Sequence, residues 1–505
     1  MSRELGRRRA LGLLAAGSAA VATGVAGWVW RIGAPEETAV GAATSGEPLR
    51  APPERLARDG VLTVPLDAGP GVRLAGRDTS ALGFNGSSPG PTLRVRPGDD
   101  LRVRLTNRLG QPTNLHTHGL HVSPRGNSDN PFLSIAPGET FDYRFRIPDD
   151  HPPGTFWYHP HRHGLVADQL FGGLAGALIV DGGPELAETE RVLVVTDLSL
   201  TEAGDVVPAG PRERMLGREG NLVLVNGQHE PVVELRAGAT ERWRVVNACT
   251  SRVLSLRPEN ARVTRVGSDG FLLPRPVPRQ RVVLAPGNRA DLLVTPTGPG
   301  RGRLVSDPVR RGHGGMPGMG GTADPVPGAG GTRQGPVTLV RLDVSGPATG
   351  TSREPPAELP APPLPGRSVS RRREIAFTMG MGGMGGMGDG DGMRGPGMRF
   401  GFDGRAFDAD RTDQTVAAGA TEEWLIRNDT PMDHPFHLHV WPFQVVGSSD
   451  GGQADGSLRD VVLVPARGWA RLRVHFADHT GRTVYHCHIL DHEDAGMMAT
   501  VRVGG

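Results

Sequence analysis

One short phrase occurs three times in this chain, and it restricts what the chain can fold into more than any other feature. The first copy is Gly83-Phe84-Asn85-Gly86, followed by Pro91-Thr92-Leu93-Arg94-Val95, Pro97-Gly98-Asp99 and Leu101-Arg102-Val103-Arg104-Leu105. The second is Val225-Asn226-Gly227, Val233-Glu234-Leu235, Ala237-Gly238-Ala239 and Trp243-Arg244-Val245-Val246-Asn247. The third is Phe402-Asp403-Gly404, Ala418-Gly419-Ala420 and Trp424-Leu425-Ile426-Arg427-Asn428. Asn-Gly and Asp-Gly turns beside alternating runs are the signature of hairpins and half-buried strands. The turns lie 141 (85 to 226) and 177 (226 to 403) residues apart. Those separations are too long for a solenoid and suit three homologous β-sandwich domains. The 505 residues are enough for about three domains, and 74 Gly with 45 Pro leave little room for long helices.

The segments between the copies set the expected boundaries. Residues 51–185, 186–345 and 373–505 form the three domains, with 346–372 as a Pro-rich linker. Gly312–Gly335 is Gly-rich and Pro355–Pro365 is Pro-rich, the latter reading as an extended connection. Residues 1–50 read as an export signal and a disordered segment. Arg7-Arg8-Arg9 precedes an apolar run from Ala10 to Trp30, which resembles a twin-arginine signal. An ordinary secretory signal or an N-terminal membrane anchor is the alternative. Either way the chain is expected outside the cytoplasm: periplasmic, secreted or in the cell envelope. The net charge of +2, with all 56 basic residues Arg, implies neither nucleic acid nor an acidic partner. A monomer is expected.

Chemistry is concentrated in four histidine clusters: His116-Thr117-His118, His159-Pro160-His161, His434-Pro435-Phe436-His437-Leu438-His439 and His486-Cys487-His488 with His492. They use ten of the chain's 17 histidines. In an H-x-H strand both imidazoles share one face about 6.5–7 Å apart, a spacing suited to neighbouring metal ions. In the last cluster alternation sends Cys487 to one face and His486 and His488 to the other. Cys487, His492 and Met497 can converge on one ion. A thiolate, imidazole and weak thioether set is that of a blue-copper electron-transfer site. The other cysteine, Cys249, reads as a lone buried thiol, since pairing it with Cys487 would remove that thiolate.

From about residue 55 to the end, these four motifs together resemble the three-domain multicopper oxidases, which include laccases, ascorbate oxidases and bacterial cuprous oxidases. The resemblance implies an all-β chain of three cupredoxin-like Greek-key β-sandwiches and four copper ions. It assigns His434, Cys487, His492 and Met497 to a type-1 copper, and His116 and His437 to a type-2 copper. His118, His159 and His488 would hold one type-3 copper, and His161, His439 and His486 the other. The implied reaction couples four one-electron oxidations of a donor to reduction of dioxygen to water. Electrons would pass from Cys487 through the backbone to His486 and His488. Glu493 matches an acid that supplies protons in the cuprous-oxidase branch, and Asp129 is the candidate for a second.

The donor is read from methionine. Met379-Gly380-Met381-Gly382-Gly383-Met384-Gly385-Gly386-Met387 carries soft thioethers that prefer Cu(I). Gly at this density argues against a helix or core strand there. The position resembles the methionine-rich insert of cuprous oxidases, and Met432 matches a substrate-copper ligand of that group. Where the group has an acid two positions before it, this chain has Thr430. Cu(I) is therefore the expected donor, in a copper-tolerance role, with small phenols and aromatic amines the laccase alternative. A copper-binding protein without turnover and a scaffold that has lost its copper are the non-enzymatic readings.

Overall fold

The protein is described by a computed structural model that covers residues 43–312, 335–346, 355–362, 368–381, 398–452 and 454–504. Its architecture is all-β. Residues 54–180 form a five-stranded and a four-stranded sheet, residues 189–345 a six-stranded and a five-stranded sheet, and residues 371–503 another such pair. Each pair closes over its own apolar core, built from alternating inward side chains. No described helix is long and apolar enough to cross a membrane.

The threefold phrase is repeated down to single hydrogen bonds. Asn85, Asn226 and Asp403 have φ of 55, 52 and 52°, and the glycines that follow have 72, 75 and 75°. Two successive left-handed residues make a type I′ turn, which explains the Asn-Gly and Asp-Gly choice. The side-chain oxygen of each turn residue accepts from a neighbouring strand, from the N–H of Asp67, Val194 and Ala376 at 2.7, 2.9 and 2.8 Å. Trp243 and Trp424, fully buried, donate to Glu241 and Glu422 at 2.9 and 2.8 Å. Asn107, Asn247 and Asn428 each close a turn two residues on, accepting from Leu109, Cys249 and Thr430. Cys249 and Cys487 are both free and buried.

Two expectations need correction. Part of the disordered N-terminal segment is docked: Ser45 and Pro48 bridge to His229 and Val232, and Leu49 packs on the second core. An unpaired strand edge with apolar ground beside it is filled even by a turn-rich segment. The linker is not simply extended either: the Ala361 N–H turns back onto the Leu359 carbonyl at 2.7 Å, and Leu359 is buried with Leu186, Val266, Leu272 and Leu293. The expected export signal, Arg7-Arg8-Arg9 with the apolar run from Ala10 to Trp30, lies outside the described residues.

Candidate metal centre

The elements that carry the site are β1 (His116–His118), β2 (Gly154–His159), the short helices α1 (Val166–Phe171) and α2 (Pro211–Leu216), β3 (His434–Leu438), β4 (Gly481–Cys487) and the one-turn α3 (Leu490–Asp494). β1 pairs with β2, placing His116 opposite His159. β3 pairs with β4, placing Phe436 opposite Cys487 and His437 opposite His486. The histidine strands of the first and third sandwiches therefore face one another.

On one face of β4, Cys487 Sγ lies 3.4 Å from His434 Nδ1 and 3.9 Å from His492 Nδ1, and accepts the Ile489 N–H at 3.4 Å. All three side chains are fully buried, as is Met497, whose carbonyl accepts the Cys487 N–H at 3.0 Å. The outward nitrogens are held: His434 Nε2 by Thr430 Oγ1 at 2.8 Å, and His492 Nε2–H by the Met215 carbonyl at 3.0 Å. Phe377 and Phe400 stack on the two rings at 5.1 and 4.5 Å. Burial pushes the Cys487 thiol up and holds His434 and His492 down, His492 to about 3. A buried thiolate needs a compensating cation, so this pocket is matched to a metal ion.

On the other face of β4, eight buried imidazoles converge. The ligand atoms of His161, His439 and His486 lie within 4.8 Å of one another, as do those of His116, His437 and His439, and of His116, His118 and His159. His488 completes the ring set, its centroid 5.0 Å from that of His118 and 5.9 Å from that of His159. Outer nitrogens donate to the protein: His116 Nδ1–H to Asp129 at 2.9 Å, His118 Nε2–H to Asp460 at 3.0 Å, and His437 Nδ1–H to the Asp460 carbonyl at 2.9 Å. His159 and His486 donate to the carbonyls of Pro160 and Cys487. Such bonds select the tautomer and aim the second nitrogen inward. Accordingly His116 Nε2, His118 Nδ1, His159 Nε2 and His437 Nε2 are buried without a protein partner. Burial and mutual repulsion hold these rings neutral, with pKa values pushed down. Convergent neutral lone pairs with no other use suit copper ions.

The carboxylates sit against this cluster. Asp129 bonds His116 and accepts the Thr117 N–H at 2.9 Å, while burial raises it to about 7. Glu493 lies 3.0 Å from His486 Nδ1 and 3.5 Å from His161 Nε2, and burial raises it to about 7. Asp460 is a third carboxylate that sequence reasoning missed. It lies outside every histidine motif, and only its approach across the sheet reveals it.

The methionine expectation changes. Met379 and Met381 lie in the strand Arg371–Met381, paired with Met398–Phe402, and Met379 packs against the third core. Pairing with a second strand supplies the order that glycine density argued against. Met432 is buried beside Thr430, and Met384 and Met387 lie outside the described residues.

Two family models, both described as multicopper oxidase, match residues 69–185 and 378–505, the segments that carry the clusters. The chain belongs to the multicopper oxidases. A solved multicopper oxidase from Campylobacter jejuni, described as a metallo-oxidase, superposes with a TM-score of 0.79 at 29% identity, covering 94% of this chain and 99% of that one. The multicopper oxidase mco of Staphylococcus aureus is 26% identical over 449 residues, 85% of each chain. The cell division protein FtsP of Edwardsiella tarda is 28% identical over 405 residues, 78% of this chain and 77% of that one. Family membership makes this multicopper oxidase an oxidoreductase that uses oxygen as acceptor.

Proposed function

We propose that this multicopper oxidase oxidises Cu(I), taking the electron at the Cys487 centre and delivering it to the eight-histidine cluster. Four bound coppers would supply one-electron acceptance at the thiolate and four-electron reduction of dioxygen to water at the cluster. His434, Cys487, His492 and Met497 would hold the type-1 ion. His116 and His437 would hold the type-2 ion. His118, His159, His488, His161, His439 and His486 would hold the type-3 pair. The observation that carries this reading is the placement of Cys487 between two cluster histidines on one buried strand. Cys487 Sγ and the rings of His486 and His488 are joined through one adjacent peptide on either side, so little distance is left for an electron to cross.

The chain's own residues then have defined tasks. The Cys487 backbone, whose carbonyl accepts from His486, couples the two centres. Glu493 and Asp129 hold protons close to neutrality beside the cluster and supply them as water forms. Thr430 and the Met215 carbonyl occupy the outward nitrogens of His434 and His492. A bulky donor therefore meets no bare imidazole, which favours a small donor such as Cu(I). Met379 and Met432, with Met381, Met384 and Met387 from the same run, supply soft sulfur for it. Export by the twin-arginine route, a copper-tolerance role and a monomeric state complete the proposal. Small phenols and aromatic amines are the second reading of the donor.

Oxygen uptake with Cu(I) and with a bulky phenol, before and after deleting residues 382–397, tests the donor. Selective loss of the Cu(I) reaction is expected. Equal retention of both reactions would replace it with the laccase reading.

A further inference from the structure

The second sandwich contributes none of the proposed ligands, yet it sends one fully paired arginine to the outer side of each centre. Arg218, directly after α2 and Gly217, is 3% exposed at its side chain. Its Nε and Nη2 donate to Asp491 Oδ1 at 2.9 and 2.6 Å, and its main-chain N–H donates to Oδ2 at 2.9 Å. Nη1 reaches Asp168 of α1 at 2.6 Å. Asp491 is the residue before His492, whose Nε2–H is held by Met215 three residues before Arg218. Gly217 permits this approach, because a Cβ there would lie 2.5 Å from Ile489 Cγ2. Segment 215–218 thus grips the ligand turn at two points.

Arg289 repeats the device at the histidine cluster. It is completely buried, and Nη1 and Nη2 donate to the two oxygens of Asp460 at 2.7 and 2.6 Å. Its Nε and Nη1 also satisfy the carbonyls of Thr155 and Gly287 at 3.1 Å. Asp460 in turn orients His118 through its side chain and His437 through its carbonyl. Two glycines make room. A Cβ on Gly119 would stand 2.3 Å from Arg289 Nη2, and one on Gly287 2.9 Å from the His488 ring.

A buried guanidinium is costly unless its partners are complete, and a two-pronged fork fixes the plane of the carboxylate it meets. Resting on the two-centre reading above, we propose that Arg218 and Arg289 are positioning residues. Arg218 sets the type-1 ligand turn through Asp491 and His492. Arg289 sets the trinuclear cluster through Asp460, His118 and His437. The second sandwich determines the geometry of both centres while ligating neither.

The test uses the copper-loaded full chain as Arg218→Met and Arg289→Met, with copper content, the thiolate absorption band, the electron paramagnetic resonance of type-1 and type-2 copper, and turnover as readouts. Arg218→Met is expected to change the thiolate band and the type-1 resonance while leaving the type-2 resonance as in wild type. Arg289→Met is expected to do the reverse. Each is expected to lower turnover about 10–100-fold, the usual range for residues that orient metal ligands. Where an arginine variant fails to fold, Asp491→Asn and Asp460→Asn are expected to give the same crossed pattern. Wild-type spectra with only a lowered Tm would overturn the proposal and leave the two pairs as interdomain ties. Equal disturbance of both centres by either change would overturn it too. A wild type that lacks the thiolate band would instead strike the two-centre reading itself.

Discussion

Glu493 and Asp129 both adjoin the same histidine cluster, one through His161 and His486, the other through His116. Each is raised to about 7 by burial, so each can hold a proton near neutrality. Glu493→Gln keeps the shape and removes the exchangeable acid. It is expected to leave the thiolate absorption intact and lower oxygen turnover by about 10²-fold or more, measured as oxygen uptake. His151 gives a prediction about stability instead. Its Nδ1–H donates to Pro152 and its Nε2 accepts the His121 N–H, so the native ring has no site for a second proton. Burial first, then repulsion from His121 and His479, pushes it down to about 3. The unfolded chain binds that proton below about 6.5 while the native chain does not, so stability is complete above that pH and falls as pH drops towards 3. Urea unfolding at pH 7 and 5 should show a loss on the order of 2 kcal/mol from this ring, absent in His151→Leu. The ligand candidates were legible in sequence because spacing on a strand dictates which face a side chain takes. Asp460, Arg289 and Arg218 were not, since they act across sheets and sandwiches, where no local periodicity points to them.

At the scale of elements, the three I′ turns show how much the repeated phrase carried. Asn85-Gly86, Asn226-Gly227 and Asp403-Gly404 announced the same hairpin three times, and the structure forms it three times with the same donor and acceptor pattern. Their glycines are not equivalent, however. A Cβ on Gly404 meets nothing within 4 Å, whereas one on Gly227 would stand 2.4 Å from the Ser88 carbonyl. Gly404→Ala should cost about 1 kcal/mol from its left-handed backbone alone. Gly227→Ala should cost more, about 3 kcal/mol, because backbone must also move. Equal shifts in thermal unfolding would contradict that difference. The methionine run marks the opposite case. Its glycines argued against a strand, but pairing of Arg371–Met381 with Met398–Phe402 extends the sheet to Met381. Local composition cannot register a partner strand that begins further along the chain, at Met398.

Across the whole molecule, the first and third sandwiches build one histidine cluster and the second holds both centres in register. Fold class and domain number were legible from the repeat, while the tie between sandwiches depends on buried arginine–carboxylate pairs with partners more than a hundred residues away. Because the pockets bury neutral imidazoles and a thiol, copper should stabilise the fold strongly. A chelator is expected to lower Tm, and readdition of copper to restore it. The central claim is that Cys487 is both the thiolate of one centre and the wire to the other. Its most direct test is the visible absorption and oxygen uptake of copper-loaded wild type beside Cys487→Ser. The account predicts a blue wild type that consumes oxygen with its donor, and a variant that has lost both the blue band and the uptake. A fully loaded wild type without colour, or a variant that keeps its oxidase activity, would contradict it.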